Sequence, residues 1–196
     1  MSEFTVAVTG ASGSACARTL LRALTSHADV QRVNAVISAA ALTVAREELG
    51  PRDASPDRMR AILCEDAGKI RWFDEHDVGA SIASGSYRTQ GTVILPCSTA
   101  TLGAVATGVS RNLIHRAAEV ALKERRPLLL GVREAPLSAI HLQNMLTVMR
   151  AGAIVLPITP AFYTRPKTID DIVEQYVARI LDHLDLSHRL GRRWGS

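Results

Sequence analysis

Short runs of β-branched and aliphatic residues alternate along this chain with longer stretches whose apolar positions recur every three or four residues. Phe4 to Thr9, Arg32 to Ile37, Gly91 to Leu95, Leu128 to Val132 and Ala153 to Leu156 are nearly continuous apolar runs, the pattern of strands covered on both faces. Ala15 to Leu24, Ala39 to about Glu48, Thr99 to Thr107, Asn112 to Arg125, Ser138 to Arg150 and Thr168 to about Leu184 carry a helical period. Asp57 to Ala67 reads as a weaker helix, and Ile70 to Ala83 as a short strand followed by irregular chain. Ser38 stands where it caps the second helix, and Asp170 and Asp171 complement the dipole of the last. Strands alternating with helices predict a three-layer αβα domain, flavodoxin- or Rossmann-like, with a mostly parallel sheet.

Composition narrows the class. With 196 residues, 47% of them hydrophobic and only 4% aromatic, the chain suits one α/β domain with an aliphatic core. No apolar run reaches the ~18 residues of a membrane span, and no charged n-region with an apolar h-region opens the chain. Cys16, Cys64 and Cys97 are odd in number and widely spaced, which fits ordinary reduced thiols in a cytoplasmic protein better than a disulfide framework or a zinc site. The six histidines form no H-x-x-x-H, so no metal site is expected, and the absence of a G-x-S-x-G elbow disfavours a hydrolase. Net charge is +4, but Lys and Arg are not interleaved with aromatics. A small phosphorylated ligand explains them better than nucleic acid.

The candidate chemistry lies where strands run out. Gly10-Ala11-Ser12-Gly13 is neither G-x-G-x-x-G nor a P-loop; it is either a generic anion cradle at a helix amino terminus or a plain strand-to-helix turn. Ser38 and Ser98 follow the next strands at equivalent positions. Three hydroxyl-bearing turns on one rim suit a flat, polar-edged cofactor such as FMN, with helix capping the alternative for each serine. On the helix from Asn112, Leu113, Ala117, Val120 and Ala121 share one face, while Asn112, His115, Arg116, Glu119 and Lys123 share another. The following strand delivers Arg133 and Glu134 to its carboxyl end, where open α/β sheets bind ligands. Arg116, Lys123, Arg133 and Glu134 are therefore expected to converge on one rim, as a phosphate site beside an acid/base group. The loop Pro157 to Tyr163 either lays an aromatic over the ligand or is a rigid surface loop, and Trp194 either covers a site or pins the tail.

Taken together, Gly10 to Gly13, Ala83-Ser-Gly-Ser86, Pro96 to Leu102, the Asn112 to Arg126 helix with Leu122-Lys-Glu-Arg-Arg-Pro127, Arg133-Glu-Ala-Pro136, Asn144-Met145, Pro157 to Tyr163 and Arg193-Trp-Gly195 resemble the flavin prenyltransferases, the UbiX family. The resemblance implies transfer of a dimethylallyl group from dimethylallyl phosphate to N5 and C6 of reduced FMN, giving prenylated FMN for a UbiD-type decarboxylase. It implies FMN contacts at Gly10, Ala11, Ser12, Ser38, Ser98, Thr101 and Arg116, with Ser84, Gly85 and Ser86 shaping the flavin pocket. Ser12, Lys123, Arg133, Tyr163 and Arg179 would surround the prenyl phosphate. Glu134 would relay a proton, and Glu48 or its neighbour Glu47 would add an acidic group near the phosphate. Trp194 would cover the site, with residues 1–186 the flavin-binding domain and 187–196 a covering tail. No metal is required if Lys123, Arg133 and Arg179 supply the positive charge, and a dodecamer with sites between subunits is expected. Two other readings stand beside it: an FMN-dependent decarboxylase of cysteine-ended substrates, and a flavin carrier without catalysis, in which Glu134, Arg133 and Lys123 form an ordinary ion-pair network.

Overall fold

A computed structural model describes residues 2–64, 68–193 and 195. Its sheet has six strands: β1 Ser2–Val8, β2 Val30–Ile37, β3 Ile70–Phe73, β4 Gly91–Cys97, β5 Leu128–Val132 and β6 Ile154–Val155. All pairings are parallel and the spatial order is β3-β2-β1-β4-β5-β6. One layer runs straight across the sheet through Trp72, Ala35, Val6, Val93, Leu129 and Ile154. Such an order reverses direction between β1 and β4, and that switch point opens a crevice outside the strand carboxyl ends.

Alternate residues of each strand bury on opposite faces, as the unbroken apolar runs predict. Phe4, Val6, Val8, Val33, Ala35, Val93, Leu95 and Leu129 join one core with helices α1 (Ser14–Ser26) and α7 (Ile169–His183), through Leu20, Leu21, Leu24, Val177 and Ile180. Ala7, Val36, Ile94, Leu128 and Leu130 join the other with α4 (Thr99–Thr107), α5 (Leu113–Lys123) and α6 (Ala139–Arg150). Helices α2 (Ala39–Leu49) and α3 (Pro56–Leu63) meet around Ala45, Ala54 and Met59 at the β2–β3 side. Large side chains such as Leu20, Ile94 and Leu128 are fully buried, so truncating one to alanine removes on the order of 2–5 kcal/mol.

The helix limits are set by local chemistry. Ser38, Ser98, Asn112, Ser138 and Thr168 each cap their helix with a side-chain acceptor, and Thr168 with Asp171 forms a reciprocal capping box. α5 stops at Lys123 rather than Arg125, because Arg125 turns left-handed (φ 52°) and the Arg126 N–H closes back on the Ala121 carbonyl at 2.8 Å. The weaker helix ends at Leu63; the rest of that expectation, Glu65 to Ala67, lies outside the described residues.

Candidate functional site at the switch point

Thr9 ties the two central strands together where they end. Its hydroxyl donates to the Pro96 carbonyl at 2.8 Å and accepts from the Ser98 N–H at 2.8 Å, while its own N–H reaches Pro96 O. Above this knot lies a cavity of about 750 Å³, within the range of small-molecule sites. Gly10, Ala11, Ser12, Ser38, Ser98, Thr101, Arg133 and Glu134 all line it, so the structure brings these predicted residues together. Its floor is thin: Ala40, Ala100, Gly103 and Ala104 leave room for a flat ring. At Gly10 even a Cβ would come within 2.6 Å of the Ala40 methyl, so the turn and α2 pack as closely as backbone allows.

The serines cap helices and face the cavity at once. Ser38 Oγ accepts the Ala41 N–H at 3.1 Å, and Ser98 Oγ accepts the Thr101 N–H at 3.2 Å while donating to Thr101 Oγ1 at 3.0 Å. The first turn of α4, whose early N–H groups have no intrahelical partner, points its positive end at the cavity. This donor set fits a flavin's polar edge and phosphate.

The glycine turn departs from its expected role. The N–H groups of Gly13 and Ser14 are already taken by Glu48, whose carboxylate accepts from Gly13 at 3.1 Å and from Ser14 at 2.7 Å. The cradle at the start of α1 therefore holds an internal anion. Glu47 points away and pairs with Arg52 at 2.9 Å, so Glu48 is the one facing the turn. Burial pushes the Glu48 carboxyl up, but hydrogen bonds from Ser12, Ser14 and Gly13 outweigh that and leave it below its ordinary value. A group with a depressed folded-state value stabilises above its unfolded value of 4.5 and loses that contribution as pH falls through the folded one. Glu48→Gln is expected to cost about 1 kcal/mol at neutral pH, a few degrees in thermal midpoint. Melting curves of the two proteins should converge in acid; a constant gap down to pH 3 would contradict the assignment.

Three further residues at this rim escaped the sequence reading as site groups. Arg111, Asn112 and His115 line the cavity from the start of α5. Glu75 braces them: it accepts from Ala39 N at 2.6 Å and Asn112 Nδ2 at 3.2 Å, and its carbonyl takes the Leu113 N–H. Burial, then the Arg111 charge, lowers the His115 value, with Glu75 opposing, so the ring is neutral at pH 7. Its Nδ1 accepts the Arg111 N–H at 3.3 Å, leaving Nε2–H as the donor. Cys97, at the end of β4, is held protonated by burial, up to about 12, which argues against a thiolate nucleophile.

The expected convergence of cations on this rim does not occur within one chain. Lys123 ends α5 at the amino-terminal edge of the sheet, whereas Arg133 follows β5 at the carboxyl edge. Five strand residues, roughly 16 Å, separate the two edges. A helix between parallel strands runs antiparallel to them, so shared helical face did not mean shared sheet edge. Lys123 pairs with Glu124, and Gly85 packs against both, since a Cβ there would lie 2.5 Å from Lys123 Nζ. Arg116 is likewise engaged elsewhere, with Ala83 O and Glu119 at 3.0 Å each. Ser84 and Ser86 bond each other at 2.9 Å beside this strip, and Arg126 holds the Gly85 carbonyl. Arg116, Ser84, Gly85, Ser86 and Lys123 thus form a second cluster along α5. Tyr163 and Arg179 form a third, lining a cavity of about 330 Å³ with Arg192 and Arg193. The tail reaches that third cluster through His188, Leu190, Arg192 and Arg193, none of which lines the main cavity, and Trp194 lies outside the described residues.

Comparison with known proteins places the chain. A family model described as "Flavoprotein" matches residues 2–181. Flavin prenyltransferase UbiX of Pseudomonas aeruginosa is 48% identical over 98% of this chain and 94% of its own length. The chain belongs to the UbiX flavin prenyltransferase family. A crystal structure of AnUbiX in complex with FMN and dimethylallyl pyrophosphate superposes with a TM-score of 0.88 at 38% identity, covering 100% of this chain and 98% of that one. A dodecameric FMN-dependent UbiX-like decarboxylase from Escherichia coli O157:H7 has a TM-score of 0.88 at 40% identity, over 99% of this chain and 100% of the other.

Proposed function

We propose that this protein is a flavin prenyltransferase that moves the dimethylallyl group of dimethylallyl phosphate onto N5 and C6 of reduced FMN. The prenylated flavin then serves a UbiD-type decarboxylase. The observation that carries the reading is the switch-point cavity, where a hydroxyl-rich rim and a thin Ala/Gly floor meet the Arg133–Glu134 pair.

Bound reduced FMN would supply the electron-rich ring that takes the allylic carbon. Ser38, Ser98, Thr101 and the Gly10 to Ser12 turn would hold its polar edge and phosphate. Breaking the allylic C–O bond leaves added negative charge on the departing phosphate, and Arg133 is fixed at that rim by its strand. Glu134, adjacent and exposed to the cavity, is placed to take the ring proton released when the last ring closes. Trp194 and residues 187–196 would close the site of a neighbouring copy, with 1–186 as the flavin-binding domain.

The other two clusters complete this chemistry if copies assemble. Lys123 with Arg116 and the Ser84 to Ser86 loop, and Tyr163 with Arg179, lie on separate surfaces of one chain, yet their residue types suit the departing phosphate. A homo-oligomer, a dodecamer as in the Escherichia coli relative, would bring three surfaces to one pocket. The exposed apolar side chains Ile140, Leu142 and Met149 on α6 support such assembly. Three buried, unpaired thiols fit a cytoplasmic protein, and among the described residues no helix is long and apolar enough to cross a membrane.

Anaerobic incubation with FMN, dithionite and dimethylallyl phosphate should raise the flavin mass by one dimethylallyl unit. Bound but unchanged flavin would instead make the protein a carrier. Carbon dioxide released from a cysteine-ended peptide, with no flavin mass gain, would make it a decarboxylase.

A further inference from the structure

One carboxylate organises the third cluster. Asp182, in the last turn of α7, accepts Arg179 NH1 on Oδ2 at 2.6 Å, and on Oδ1 it accepts Arg193 NH2 at 2.7 Å and His188 Nε2 at 3.1 Å. The Asp182 side chain is 21% exposed and that of His188 only 7%, while the Arg179 and Arg193 side chains that reach it keep 55% and 67% of their surface in solvent. Burial raises the Asp182 carboxyl, but hydrogen bonds from Arg193 and His188 outweigh it, so the group is ionised at neutral pH.

The tail that brings His188 and Arg193 here is itself fixed. Leu186 and Leu190 pack against the α1–α7 core. The buried Gln175 amide then clasps the backbone, accepting the Arg192 N–H at 2.7 Å and donating to the Arg192 carbonyl at 3.2 Å. Gly191 permits this contact with φ +68°, where a Cβ would lie 2.7 Å from Gln175 Oε1. His188 Nδ1 is buried and, among the described residues, without a hydrogen-bond partner, so the ring is anchored through Nε2 on Asp182.

We propose that Asp182 is a positioning residue that couples the seating of the tail to the aim of Arg179. Arginine offers five donors in a planar fork; Asp182 engages one edge and leaves the remainder for the prenyl phosphate. The same carboxylate seats the tail through Arg193 and His188, so the guanidinium and the tail are ordered together. This rests on the reading of Arg179 as a phosphate ligand. The phosphate is already anionic in the bound substrate, so loss of a pre-aimed cation raises KM, and the charge the phosphate gains on departure adds a fall in kcat.

Asp182→Asn keeps the shape and removes the charge. In the full-length protein it should raise KM for dimethylallyl phosphate about tenfold, the size of one lost charge-assisted hydrogen bond, with a fall in kcat beside it. FMN affinity should not change, and trypsin should cut after Arg189 and Arg192 about tenfold faster. Arg179→Gln is the reference: if it leaves KM unmoved, the phosphate reading of Arg179 fails. If Arg179→Gln raises KM while Asp182→Asn changes neither KM nor tail cleavage, the positioning role is overturned. The double variant should show a KM no higher than Arg179→Gln alone; fully additive losses would also overturn the coupling. Arg193→Gln, which spares α7, guards against a folding defect in Asp182→Asn. It should speed tail cleavage and raise KM, and a loosened tail with unchanged KM would count against the proposal.

Discussion

Replacing Glu134 by glutamine should leave FMN binding intact and reduce prenyl transfer by about 10²- to 10⁴-fold, the range expected when a positioned general base is lost. Glutamine keeps the size and one acceptor oxygen, and the Glu134 carboxylate accepts a 3.0 Å hydrogen bond from the adjacent Ala135 N–H. The local backbone therefore has little reason to move. Because Glu134 is exposed and lines the cavity beside Arg133, apart from the Ala/Gly surface that would meet the ring, flavin stacking should be untouched, and the loss should appear in kcat with KM nearly unchanged. Flavin fluorescence titration and anaerobic rapid-quench turnover measure the two halves of this expectation. Turnover like that of the unaltered protein would remove Glu134 from the mechanism and leave the rim without a base.

The second expectation follows from the separation of the three clusters. Lys123→Ala and Glu134→Gln should each be nearly inactive alone, yet a refolded equal mixture should recover activity. If Lys123 and Glu134 reach one pocket from different copies, random assortment leaves about a quarter of the pockets with both residues intact. If both residues served a pocket within one chain, no pocket in the mixture would be whole and recovery would be nil. The sheet favours recovery, since its two edges lie a full strand apart. Sedimentation of the mixture confirms that assembly survived in either case.

Much of the architecture was legible from the chain because its strands are buried on both faces. Runs such as Leu128 to Val132 and Gly91 to Leu95 stand out, and the serines after them mark helix starts; Thr99–Thr107 and Leu128–Val132 agree residue for residue. The cavity wall was legible for the same reason, because Ser38, Ser98, Arg133 and Glu134 sit at strand ends that topology must gather. What could not be read was distance along a helix. Asn112, His115, Arg116 and Lys123 share a face, but only the first turn of α5 reaches the strand carboxyl ends. Position along the axis, not the angle around it, decided which of them met the cavity. Glu75 carried no signal at all: it lies in irregular chain, and its bonds to Ala39 and Asn112 join segments far apart in sequence. Glu48 was visible as an acidic residue near a helix end, but a carboxylate that caps a different helix leaves no local spacing to detect.

The outermost strands of the sheet are the short ones, four residues in β3 and two in β6. So little unpaired main chain gives a second molecule almost no template for ladder bonding, which guards against fibril-like stacking. Copies that associate must recognise one another through side chains, which single substitutions can strengthen, weaken or redirect.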